Sequence, residues 1–172
     1  MISPAYAQMM ARYNTWQNTS LYGAASTLTD DARKLNRGAF FGSIHGTLCH
    51  LLFGDQAWMH RFAGTPPPKA KSIAESATAI PAWDDLSDRR RAFDAVITRW
   101  VADLDPSWLQ GDLNWYSGAM GRDVSRPRAE LLVHMFNHQT HHRGQVHAML
   151  TAAGAKPDDT DIPFMSPLSS PQ

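Results

Sequence analysis

The chain of 172 residues has one cysteine, Cys49, and only two glutamates, Glu75 and Glu130. A single cysteine excludes an intramolecular disulfide and suits a reducing compartment. Two glutamates exclude a di-iron bundle, which needs several inward carboxylates and Glu-x-x-His pairs. Excess charge is also lacking: 16 basic and 16 acidic residues give a formal net charge of zero. That balance removes any global attraction to nucleic acid or anionic lipid, and no basic patch interleaved with aromatics stands out. No apolar run approaches the ~20 residues of a membrane helix. The opening "MISPAYAQMMARYNTW" lacks the charged region and apolar stretch of a secretory signal. There is no internal repeat, no His-Glu-x-x-His because Gln139 follows His138, and no Cys-x-x-Cys-His for covalent haem. These absences lead to the expectation of a soluble cytoplasmic protein without nucleic-acid or membrane partners.

What is present is a globular composition, 43% hydrophobic with six tryptophans. Apolar residues recur at helical spacing over 4–28, 41–63, about 86–104 and 125–153. Ser3 and Pro4 suit the start of the first stretch, Gly64 the end of the second, and Asp84, Asp85 and Asp88 the start of the third. Ser125 is the expected cap of the fourth and Gly154 its stop. Residues 64–85, rich in Pro, Ala and Ser, read as a linker, and 111–125 as a loop or small hairpin. The simplest arrangement is an all-α, antiparallel four-helix bundle over 1–154 with long linkers, followed by an extended or disordered tail over 155–172.

Five of the eight histidines fall in "HMFNHQTHHRGQVHAML", residues 134–150. With His138 at zero on a helical wheel, His142 lies about 40° away, with Leu131 and Met149 between them. His138 and His142 therefore share an apolar face, at the i, i+4 spacing that presents two imidazoles to one ion. His134 and His141 lie on the flanks, and His147 and Thr140 point to solvent. A third ligand has to come from elsewhere, and the second stretch offers His45, Cys49, His50 and His60. His60 suits a helix C-terminus. His50 sits with Gly46, Gly54 and Ala57, roughly opposite the Leu48 and Leu52 stripe. The wheel does not choose among these candidates, and small neighbours signal either close helix approach or room for a ligand. Asp55 is centred on the apolar stripe and needs a partner when buried; Arg143 is the expected one. Cys49 and the methionines read as core residues, Arg89 to Arg91 as a solvated face, and Trp108, Trp115 and Tyr116 as covering either a site mouth or the core.

Two segments, "GSIHGTLCHLLFGDQAWMHRF" (42–62) and "HMFNHQTHHRGQVHAML" (134–150), resemble the DinB-like family of four-helix metalloproteins. In the first, a Thr-Leu-x-His-apolar-apolar run is followed by an acid and a Trp, here Thr47 to Leu52 with Asp55 and Trp58. In the second, His-x-x-x-His continues into Arg143, Gly144 and Gln145. The opening "YNTWQNTSLYGAASTL" is similar to the family's first helix, more loosely. The resemblance implies metal ligands at His50, His138 and His142, and a homodimer. Three neutral imidazoles leave the full charge on a divalent ion, Zn or Ni by preference, and an open coordination position. Such a site activates either water, for hydrolysis, or a low-molecular-weight thiol, for attack on an electrophile. The resemblance favours a thiol, since relatives include thiol transferases. A non-catalytic metal-binding scaffold is the rival of a different class. Asp55, His134 and Tyr116 are candidate bases among which no spacing decides.

Overall fold

The computed structural model describes residues 2–118 and 120–166; Met1, Ala119 and the end of the expected tail, 167–172, lie outside the described residues. Four long helices form the body: α1 (Pro4–Ser26), α3 (Ile44–Ala63), α5 (Trp83–Ala102) and α6 (Arg128–Ala152). Two short ones, α2 (Asp30–Lys34) and α4 (Ile73–Ser76), lie in the connections, and an antiparallel hairpin, β1 (Asp112–Ser117) with β2 (Arg122–Pro127), precedes α6. No helix among the described residues is long and apolar enough to cross a membrane.

Local chemistry sets most boundaries. The Ser3 hydroxyl accepts from the Tyr6 amide and Pro4 occupies the first turn of α1; Ser43 does the same for Gly46 at the start of α3. Gly64 ends α3 at φ 66°, a left-handed conformation that favours glycine. The third helix starts at Trp83, earlier than the periodicity suggests, which puts Asp84 and Asp85 in its first turn. The expected cap of the last helix is corrected. Ser125 belongs to β2, where its hydroxyl donates to Asp112 across the hairpin, and α6 begins after Pro127 without a side-chain cap.

The long helices pack in a ring, each touching two others. The pairs α1/α5 and α3/α6 run antiparallel: Gln8 reaches Val101 while Trp83 reaches Ser26, and Gly54 abuts His138 while Trp58 meets His134. The pairs α1/α6 and α3/α5 run in the same direction, as Tyr6 to Phe136 and Asn14 to Arg143 show for the first and Asp55 to Arg90 and Phe62 to Trp100 for the second. A chain leaving α3 must therefore travel back along the bundle, about 30 Å for a 20-residue helix, before starting α5. That return is the physical reason for the long 64–82 connection.

Two apolar clusters fill the bundle. One gathers Leu21, Ile44, Leu48, Leu52, Leu86, Val146 and Leu150, the other Ala11, Met59, Ile97, Leu132, Met135 and Phe136. Between them lies a buried polar layer. Arg90 pairs with Asp55 at 2.6 Å and with Asp94 at 2.7 Å; Gln139 donates to Asp55 at 2.9 Å, Asn14 and Asn18 to Asp94, and Arg143 to Asn14. Two sequence expectations are corrected here. Asp55 is paired with Arg90 rather than Arg143, and Arg90, only 3% exposed, is no part of a solvated face. Burial disfavours the charge on Arg90, but Asp94 and Asp55 outweigh it and hold the guanidinium protonated. Beyond α6, Asp158, Asp159 and Thr160 hydrogen-bond Ser20, Gln17 and Tyr13, so this part of the tail lies along α1.

Candidate metal centre

The deepest stripe of α6 is Leu132, Met135, Phe136, Gln139, Val146 and Leu150, each 0% exposed, with Arg143 at 4%. Relative to the wheel drawn from hydrophobicity, the inward face is rotated, because Gln139 and Arg143 are buried by their polar partners. His138 and His142 consequently occupy the shoulder of that face, turned toward α3, with His138 half-buried and His142 buried.

His50 meets them there. Nitrogen atoms of His50, His138 and His142 lie within 4.8 Å of one another, and the Nε2 atoms of His50 and His138 are 3.1 Å apart. Two nitrogens held at 2.0–2.1 Å on a tetrahedral ion stand about 3.3 Å apart, so the histidines are close to the spacing an ion imposes. The side of α3 that looked unfavourable is made usable by its glycines. A Cβ on Gly54 would stand 2.8 Å from His138 Cε1, and one on Gly46 would stand 2.5 Å from the Phe41 carbonyl oxygen. Small neighbours here mean close approach: of α6 at Gly54, and of the segment before α3 at Gly46. Phe41, expected inside the second helix, precedes it and stacks on the His50 ring at 3.7 Å, leaving His50 5% exposed.

The hydrogen bonds outside the triad fix which nitrogen faces inward. The Ser76 hydroxyl donates to the Ile73 carbonyl at 2.6 Å and therefore accepts from His50 Nδ1–H at 2.9 Å. The Gln145 carbonyl accepts from His142 Nδ1–H at 2.8 Å while its amide faces His141 Nε2 at 3.3 Å. Both rings then carry their lone pair on Nε2. His138 Nδ1 is buried without a partner among the described residues. Burial, and then His142, pull His50 down to about 4; burial and the surrounding imidazoles pull His138 down to about 3. Burial also lowers His142, against the hydrogen bond it donates to Gln145, which acts to raise it. Three neutral imidazoles with converging nitrogens fit a divalent borderline-soft cation and no anion.

The surroundings narrow the remaining candidates. Both carboxylate oxygens of Asp55 are taken, by Arg90 and Gln139, and the residue is 1% exposed, which removes it as a base. His134 is exposed, 5.1 Å ring to ring from Trp58 and 6.0 Å from His138. Trp115 packs against Trp58, so this aromatic group borders the histidines, whereas Tyr116 is 65% exposed on the hairpin. Trp108 instead packs on Phe62 and Trp100 in the core. His45 turns away to the Ile80 carbonyl and His60 to that of Thr65. Burial pushes the Cys49 thiol up to about 12, and its sulfur also faces the Ile80 carbonyl, consistent with a core role. A cavity of about 610 Å³ between α1 and α5 is bordered by Asn18, Tyr22, Arg90 and Asp94 and includes none of the histidines.

Sequence reasoning did not find Ser76, Gln145, Phe41 or Gly54 as parts of the site. A signal for the first existed: Ser72-x-x-Glu75 has the capping-box pattern inside the linker, and Ser72, accepting from the Glu75 amide, starts the turn that carries Ser76, while the Glu75 carboxylate accepts from the Lys71 amide.

A four-helix bundle with a three-histidine cluster that could hold a divalent ion defines the class. The chain belongs to the DinB family, whose pattern matches residues 1–169. It is similar to Protein DinB of Bacillus subtilis (strain 168), 28% identical over an alignment of 163 residues that covers 91% of each chain.

Proposed function

We propose that this protein is a metal-dependent enzyme that activates a low-molecular-weight thiol through a divalent ion, Zn or else Ni, held by His50, His138 and His142. The observation that supports it is the convergence of three neutral imidazoles with no carboxylate or thiolate among them from the described residues. When bound, the ion supplies undiminished positive charge and an open position that favours an anionic thiolate as fourth ligand. The protein's part is to hold and orient. Ser76 and Gln145 fix two rings from behind, Phe41 shields one face of His50, and the buried Asp55–Arg90–Gln139 layer anchors α3 to α6 one turn away. His134 and His141 stand beside the triad at the rim and can take the thiol proton.

Elemental analysis of untagged protein beside His50→Ala, His138→Ala and His142→Ala tests the ligand set. About one equivalent of metal in the wild type, lost in all three variants, is the expected result. The Zn form is then incubated with chlorodinitrobenzene and several thiols, glutathione first. A rate no higher than that of His138→Ala with every thiol sinks thiol activation. Ester hydrolysis by the same samples would redirect the reading to a hydrolase.

A further inference from the structure

The connection between α3 and α5 is pinned along one side of α3. Ile80 supplies its carbonyl to His45 Nε2 at 2.7 Å and faces Cys49 Sγ at 3.4 Å, and a Cβ on Gly46 would stand 3.5 Å from Ala77 Cβ. At the centre of this strap is the single turn α4, which ends on Ser76. Ser76 is 0% exposed, and its one hydroxyl hydrogen is committed to the Ile73 carbonyl, a group that can only accept. Toward His50 the hydroxyl has only a lone pair to offer. His50 must carry its proton on Nδ1, and Nε2 is left bare toward His138.

We propose that Ser76 is a positioning residue for the metal site, a part of the linker that selects the His50 tautomer and thereby sets metal affinity. The proposal rests on the reading of the triad as a metal site. Among the three rings, His50 is the one whose tautomer is held from a different segment of the chain: His142 is held by Gln145 of its own helix, and His138 Nδ1 has no partner among the described residues. Without the Ser76 acceptor the His50 ring is free to move its proton to Nε2, the nitrogen that faces His138 Nε2 at 3.1 Å. The His50 lone pair then no longer points into the triad, and an incoming ion has to displace a proton from Nε2.

The test uses the full chain as wild type, Ser76→Ala, Ser76→Thr and Ser72→Ala. The last removes the cap of the same turn but keeps the Ser76 hydroxyl. Two quantities are measured: Zn²⁺ affinity by competition with a chelator, and the His50 tautomer in metal-free protein by long-range proton–nitrogen NMR. Ser76→Ala is expected to lose about 10- to 100-fold in affinity, with His50 moving from Nδ1–H toward Nε2–H. Ser76→Thr keeps both properties near wild type, and Ser72→Ala loses less affinity than Ser76→Ala. Equal affinity of Ser76→Ala and wild type, equal losses in Ser76→Ala and Ser72→Ala, or an Nε2–H tautomer in the wild type would each overturn the proposal. If the wild type binds no Zn²⁺, the metal reading fails, while the tautomer measurement still decides whether Ser76 directs His50. If Ser76→Ala does not fold, the wild-type tautomer and the Ser76→Thr affinity decide.

Discussion

Gly54→Ala should separate metal affinity from stability. The new Cβ would stand 2.8 Å from His138 Cε1, against an ordinary carbon–carbon contact of about 3.5–4.0 Å. The imidazole therefore has to retreat by roughly 0.7 Å or more. His138 is half-buried and its ring lies at the end of a rotatable side chain, so the retreat stays below the 1–3 kcal/mol range typical of core overpacking. Alanine in a helix interior also gains about 0.8–1 kcal/mol over glycine. The two contributions oppose each other, and metal-free stability should change by less than about 1 kcal/mol. The ligand, however, no longer reaches the point shared with His50 and His142. A loss of about 10- to 100-fold in Zn²⁺ affinity follows, equivalent to about 1.4–2.8 kcal/mol. Thermal unfolding of the metal-free proteins and chelator competition measure the two quantities. Gly23→Ala on α1, where a Cβ meets nothing within 4 Å, is the control: stability rises and affinity holds. Zn²⁺ binding by Gly54→Ala within twofold of wild type would show that the close approach of α6 to α3 at Gly54 does not position His138.

Removing Arg90 leaves two carboxylates buried, so Arg90→Met should destabilise by about 3–5 kcal/mol in urea unfolding; a double-mutant cycle should couple Asp55→Asn more strongly to Arg90→Met than to Arg143→Gln, and the reverse order would refute the pairing. Metal-free stability should fall as pH drops from about 6.5 toward 4 and below, because His50 and His138 take up protons in the unfolded chain before the folded one. The stability is fully present above the unfolded value. Asp94, raised by burial, contributes with the opposite sign at the acid end, so the comparison is with His50→Ala and His138→Ala, whose acid loss should be shallower. An unchanged slope in both variants would contradict the assignment. Cys49, 1% exposed with a thiol pushed up to about 12, should resist alkylation at pH 8 until denaturant is added; stoichiometric labelling of the native protein would contradict its burial.

The sequence by itself determined the four long helices, because apolar periodicity, the Ser3 cap and the Gly64 stop act within a few residues of each other. It also determined the His138 and His142 pair, since i, i+4 spacing on one helix is a local fact. His50 entered only by resemblance: its side of α3 looks wrong on a wheel, and it becomes a site only when α6, Phe41 and the linker cover it. The same limit explains the misplaced partner of Asp55. Buried charge breaks hydrophobic periodicity without saying where its complement lies, and Arg90, inside a run of three arginines, reads as surface until α5 is packed against α1 and α3. Ser76 shows the limit most clearly. Its hydroxyl matters because two helices running in the same direction force a long return across the His50 edge, and the direction in which packed helices run is a property of the tertiary structure alone.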